Sequence, residues 1–133
     1  MKNLKNIFLI DDDEASSFLC GRVIKEMKIS DKTRSFYNGK DALDFMINRC
    51  SGVRQNPEIC PELILLDINM PEMDGFQFLN ELKSKSLLPK EKLKIFILTS
   101  SNNPSDIEKA KQFHVDGYIT KPITKQKLES LLF

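Results

Sequence analysis

Residues 63–75 read Leu63-Ile64-Leu65-Leu66-Asp67-Ile68-Asn69-Met70-Pro71-Glu72-Met73-Asp74-Gly75. Four aliphatic residues in a row, too few for a helix and without a polar face, read as a strand buried on both sides. The run stops on a carboxylate, Pro71 and Gly75 interrupt the chain, and Phe78, Leu79 and Leu82 then recur at helical spacing. A buried strand that runs through a short turn into an amphipathic helix is half of a βα unit, and it implies a parallel sheet covered by helices.

Three other short apolar runs end in the same manner: Ile7–Ile10 on Asp11-Asp12-Asp13, Ile95–Leu98 on Thr99, and Tyr118-Ile119-Thr120 on Lys121-Pro122. Helical patterns lie between them. Asp13 is placed to cap a helix with the buried stripe Leu19, Cys20, Val23, Ile24 and Met27. A short run, Thr33 to Tyr37, is broken by Asn38-Gly39, and a helix with Ala42, Leu43, Phe45, Met46 and Ile47 inward follows. Ser101 to Ser105 reads as a turn into a weakly apolar helix with Ile107 and Ala110, and a last helix from Thr124 buries Leu128, Leu131 and Leu132. Asp106, Glu108, Lys109, Lys111 and Gln112 crowd the fourth helix, so weak burial marks it as a candidate moving part. Residues 48–62 and Ser84 to Lys94 read as long loops.

The 133 residues fit one domain, 1–133, with no room for a separate output unit. A net charge of +1, from 20 basic and 19 acidic residues, gives no reason to expect nucleic acid or a membrane surface as partner. The longest apolar run before the triple Asp is four residues, so neither a secretory signal nor a spanning helix is expected there, and the composition suits the cytoplasm. Cys20, Cys50 and Cys60 lack the spacing of a zinc site and are expected as reduced thiols, Cys20 as a small core residue. Cys50 and Cys60 flank a polar loop, where oxidation can join them. His114, the single histidine, is expected at the surface or its boundary.

In an open parallel sheet the carboxyl ends of all strands emerge on one edge, so residues distant in sequence converge there. The set gathered here is an acidic cluster, a hydroxyl and an ammonium. Packed carboxylates raise one another's pKa and cost stability unless a hard cation compensates, and magnesium takes one or two carboxylates plus a phosphate oxygen. Asp67, held by the strand it ends, can act as a nucleophile toward phosphorus. Lys121 is placed to reach a phosphoryl oxygen as a point charge, and Thr99 to donate a hydrogen bond to it. There is no Gly-rich phosphate loop, and one histidine leaves no credible Ser-His-Asp arrangement.

Asp11-Asp12, Asp67, Asn69 to Gly75, Thr99-Ser100 and Lys121-Pro122, in that order, resemble the receiver domain of two-component response regulators over essentially the whole chain. The resemblance implies a flavodoxin-like, doubly wound α/β fold with a five-stranded parallel sheet in order 2-1-3-4-5 and helices on both faces. It also implies that Asp67 accepts a phosphoryl group from a histidine kinase or histidine phosphotransfer protein. Mg2+ would be held by Asp12, Asp67 and the Asn69 backbone carbonyl directly, and by Asp11 through water. Lys121 would pair with the phosphoryl group, and Thr99 and Tyr118 would form the switch. Asn69 and Ser101 stand where family members tune phosphoryl lifetime. The downstream protein is unknown, and a homodimer through the face of the fourth and fifth helices is an assembly the resemblance allows. Such a domain signals rather than turns over substrate, beyond assisting its own phosphorylation and dephosphorylation.

Two other readings bear on the same residues. Asp11-Asp12-Asp13-Glu14-Ala15 partly matches the opening of aspartate-nucleophile phosphatases of haloacid dehalogenase type, but lacks Thr or Val at the fifth place and has no acidic pair after Lys121. A receiver-like binding module that takes no phosphate would not need the complete residue set.

Overall fold

A computed structural model describes residues 4–30, 32–50, 59–85, 93–100, 104–113 and 115–132. Strands and helices alternate: β1 (Ile7–Ile10), α1 (Glu14–Met27), β2 (Thr33–Phe36), α2 (Gly39–Arg49), β3 (Leu63–Asp67), α3 (Gly75–Ser84), β4 (Lys94–Thr99), α4 (Pro104–Lys111), β5 (Gly117–Thr120) and α5 (Lys125–Leu132). The strands pair in parallel, in order β2-β1-β3-β4-β5, which is the expected flavodoxin-like sheet.

Because side chains alternate across a strand, the apolar runs divide between two cores. Phe8, Ile10, Ile64, Leu66, Ile95 and Ile97 face one side, with α2 and α3 and with Ala110 of α4. Ile7, Leu9, Leu63, Leu65, Phe96 and Leu98 face the other, with α1 and α5. Burial on both sides is why β1 and the first four residues of β3 are apolar throughout. β2 is an edge strand, with Thr33, Arg34 and Ser35 exposed. Phe36 alone turns inward there, and its ring lies 5.1 Å from Phe8 and 5.5 Å from Phe45.

Helix starts are set by short polar side chains that satisfy free N–H groups. Asp13 accepts from Ala15 N at 3.0 Å, and Asn38 from Asp41 N at 2.7 Å. Asp74 and Gln77 form a complete capping box on α3, with bonds of 2.8 and 2.9 Å.

Several expectations need correcting. Leu19 is exposed, and Ser17 takes a buried place in the α1 stripe, its hydroxyl 3.1 Å from that of Ser35. Tyr37 lies beyond β2 and is exposed. Phe45, Ile47, Leu131 and Leu132 do pack against the two cores, although each stays partly exposed. Pro104, read as part of a turn, is the first residue of α4, where its missing N–H costs nothing. Cys50 and Cys60 are joined in a disulfide, against the expectation of three reduced thiols. Cys50 caps α2 from inside the core, and the chain returns toward β3 with the two Cα atoms 5.7 Å apart, within bridging range. Of the loop read at 48–62, residues 51–58 lie outside the described residues, as do 86–92 of the second loop, Ser101 to Asn103 and His114. Among the described residues no helix is long and apolar enough to cross a membrane.

Candidate functional site

Strand register brings the polar ends together. Ile10 pairs with Leu66, Asp67 with Leu98 and Thr99 with Thr120, so Asp11, Asp67, Thr99 and Lys121 all stand on the carboxyl rim of the sheet. Asp11 is 1% exposed and Asp67 and Thr99 are each 5% exposed, whereas Asp12 opens to solvent. Lys121 Nζ lies 2.8 Å from Asp11 Oδ2 and 3.7 Å from Asp67 Oδ1, an ammonium set between two buried carboxylates. Its backbone is tied as well, since Lys121 N donates to Thr99 O at 2.7 Å. The Lys121–Pro122 peptide is cis.

Burial pushes the Asp67 carboxyl up to about 6, with the Asp11 charge adding to the rise; Lys121 and the Asn69 backbone N–H oppose it, and Asp12 adds a smaller push upward. Burial alone would lower the Lys121 ammonium, but its contact with Asp11 and the charges of Asp67, Asp11 and Asp13 outweigh that and hold it above its ordinary value. Cys20 lies close enough to sense the same charges. Burial and then Asp11 push its thiol to about 12, which keeps it neutral and suits the core role read from the sequence.

The donor set fits a hard divalent cation. Carboxylate oxygens of Asp11, Asp12 and Asp67 lie within 4.8 Å of one another. Asp11 Oδ2 is fully buried, and its partner is the Lys121 ammonium 2.8 Å away. One ammonium stands against three clustered carboxylates, an excess of negative charge that a divalent cation would offset. With Asp12 facing water, the cluster matches the habit of magnesium or manganese of keeping part of its hydration.

The turn after Asp67 is built tightly against it. Glu72 has a left-handed φ of 66°, and Met73 N donates to Pro71 O at 2.7 Å. Gly75 N donates to Ile68 O at 2.8 Å, and a Cβ on Gly75 would stand 2.7 Å from Asp67 O and 2.9 Å from Ile68 Cα. Both neighbours are backbone and cannot swing aside. Gly75→Ala is therefore expected to cost about 1–3 kcal/mol of stability in urea unfolding; wild-type stability would contradict this packing.

Tyr118 and Lys127 stand apart from the carboxylate cluster. Tyr118 pairs with Ile97, two positions before the rim, and its half-buried phenol is raised in pKa by burial and by Glu108 of α4. Lys127 Nζ donates to Thr120 O at 2.8 Å and to Pro122 O at 3.0 Å. The sequence reading passed over Lys127. The available signal was a Lys where a Thr-capped helix usually carries Glu or Gln.

The profile of the response regulator receiver domain matches residues 7–133. The chain belongs to the response regulator receiver family. The match decides between the families that the acidic opening at Asp11 to Asp13 allowed. This receiver domain is 33% identical to response regulator Rcp1 of Synechocystis over 117 residues, 88% of this chain and 76% of Rcp1. A two-component response regulator from Cytophaga hutchinsonii superposes with a TM-score of 0.84 at 29% identity, over 98% of this chain and 95% of that one. The cyanobacterial phytochrome response regulator RcpA, solved in phosphorylated form, gives 0.73 at 30% identity over 95% and 87% of the two chains. A Mn(2+)-bound form of Rcp1 gives 0.71 at 29% identity over 95% and 88%.

Proposed function

We propose that this receiver domain accepts a phosphoryl group on Asp67 from a histidine kinase or histidine phosphotransfer protein, with Mg2+ bound, and thereby switches a protein-binding surface. The observation that carries this reading is the buried Asp11–Lys121–Asp67 arrangement, with Asp12 at its mouth. Asp12, Asp67 and the Asn69 carbonyl would hold the metal directly, and Asp11 through water. Bound there, the cation would neutralise charge on carboxylate and phosphoryl oxygens as they approach.

A carboxylate oxygen of Asp67 attacks phosphorus as the bond from phosphorus to the donor's imidazole nitrogen breaks, and that nitrogen leaves with the electron pair and takes up a proton. Lys121, already between the two acids, follows the negative charge from the carboxylate to the phosphoryl oxygens. Thr99 donates to one of those oxygens. Movement of Thr99 toward the phosphoryl group would leave room on the α4 side of β4, into which Tyr118 turns. α4 suits such a change: it buries only Ala110, with Lys109 Nζ held 4.7 Å above the Phe76 ring of α3. Differential contacts in the two states set how far the equilibrium moves. The Mn(2+)-bound form of Rcp1 and the phosphorylated form of RcpA support the assignment by likeness.

Acetyl phosphate tests the reading, since acetate can leave in place of imidazole. Intact mass is expected to rise by one phosphate with Mg2+ and not with a chelator. With the Asp67 carboxyl raised to about 6, the carboxylate needed as nucleophile and ligand is depleted as pH falls through that value. Mg2+ affinity is therefore expected to drop about tenfold per pH unit below it, and labelling at sub-saturating Mg2+ to fall with it. Labelling indifferent to metal, or steady hydrolysis of phosphate monoesters lost in Asp11→Asn, would overturn the proposal.

A further inference from the structure

Helix α5 opens against the usual electrostatic rule. A helix N-terminus carries partial positive charge and favours acids in its first turn, yet α5 begins with Lys125 and Lys127 and has no acid there. Thr124 Oγ1 accepts from Lys127 N at 3.2 Å, so Thr124 is the cap and Lys127 the third helical residue. At that place a Glu or Gln would reach back to the cap's own N–H, as Gln77 does on α3. An ammonium has no acceptor and cannot close such a box.

The half-buried Lys127 side chain reaches instead to two carbonyls, Thr120 O at 2.8 Å and Pro122 O at 3.0 Å. These are the residues on either side of Lys121. One carbonyl ends β5 and the other lies in the loop into α5, so a single ammonium joins strand end, loop and helix around the residue whose own Nζ lies between Asp11 and Asp67. Charge-assisted bonds to two acceptors fix that short segment more firmly than either neutral bond would. A residue that breaks a local preference so consistently has a gain elsewhere to offset it.

We infer that Lys127 is a positioning residue that clamps the backbone on both sides of Lys121 and so aims the Lys121 ammonium into the acidic site. The inference rests on the proposed role of Lys121 toward the phosphoryl group. The clamp itself is a property of the metal-free protein.

The full chain with acetyl phosphate and Mg2+ provides the first arm of the test. Lys127→Met keeps the apolar stem and loses the donors; its maximal labelling rate is expected to fall about tenfold, with the half-saturating donor concentration nearly unchanged. Lys127→Arg, which retains charge and donors, is expected to recover most of the rate. Adding Lys127→Met to Lys121→Ala is expected to cause no further loss, because the clamp acts only through Lys121. Wild-type rates in Lys127→Met, or losses that multiply in the double variant, would overturn the inference.

Amide exchange of Lys121 in the metal-free protein is the second arm, since its N–H bonds Thr99 O. Exchange there is expected to quicken in Lys127→Met and not in Lys127→Arg, with core strands unchanged. If wild type takes no phosphate on Asp67, the reading of the site falls, and this exchange decides the clamp by itself: unchanged protection in Lys127→Met overturns it.

Discussion

Asp67→Asn is expected to take up no phosphate from acetyl phosphate and Mg2+, and in the metal-free state near neutral pH to be more stable than wild type. The first effect follows from loss of the nucleophilic oxygen pair: an amide is too weak a nucleophile to open the donor's bond to phosphorus. The second follows from the sign of the pKa shift. The carboxyl titrates near 3.8 when unfolded and about 6 when folded, so the native state binds the proton more tightly. Stability is therefore lost as pH rises between those values and stays lost above them. A shift of that size corresponds to a penalty on the order of 3 kcal/mol. Asn is nearly isosteric and uncharged, and it escapes the penalty. Urea unfolding of both proteins without metal should give a difference that shrinks toward zero below about pH 4 and reaches its full size above about 6. Saturating Mg2+ should reduce the gap, since binding to the native wild type stabilises it by mass action. Equal stabilities at neutral pH would mean that the acids are not in conflict.

Lys121→Met should slow labelling of Asp67 by about a hundredfold or more, the usual cost of removing one oriented positive group from a site of charge transfer. Its effect on stability runs opposite to that of Asp67→Asn. Asp11 is 1% exposed and Lys121 is the cation beside it, so removal strands a buried carboxylate. Breaking a buried pair from one side costs about 3–5 kcal/mol. Mg2+ should restore much of that loss by standing in for the ammonium, and its affinity should hold or rise. Thermal melts with and without Mg2+ check this; a melting point insensitive to the substitution would remove Lys121 from the site.

Legibility in the sequence followed burial. β1, β3 and β4 lie inside a sheet covered on both faces, and their unbroken apolar runs made strand type, parallel pairing and the polar rim readable together. β2 failed at its boundary because an edge strand with three exposed residues carries little pattern. Leu19 was misread because helical spacing alone cannot tell which side of a wide stripe meets the sheet, and Ser17, partnered by Ser35, took the inner place. The Cys50–Cys60 bridge depends on the return path of the chain, which spacing does not encode. Asp11, Asp12, Asp67 and Lys121 were readable as candidates because charge at the end of an apolar strand is conspicuous, and the structure brings them together. Gly75 and Lys127 act on backbone atoms of their neighbours, and only coordinates reveal such contacts.

The central claim is that residues from four strand ends form one pocket in which a divalent ion and an acyl phosphate on Asp67 sit together. Borohydride reduction of protein labelled by acetyl phosphate, followed by peptide mass spectrometry, tests it most directly, because hydride converts an aspartyl phosphate to homoserine at its own position. Homoserine at position 67 alone, formed with Mg2+ and absent when the metal is chelated, is the predicted result. Homoserine at position 11, 12 or 13, or at 67 without any need for metal, would contradict it.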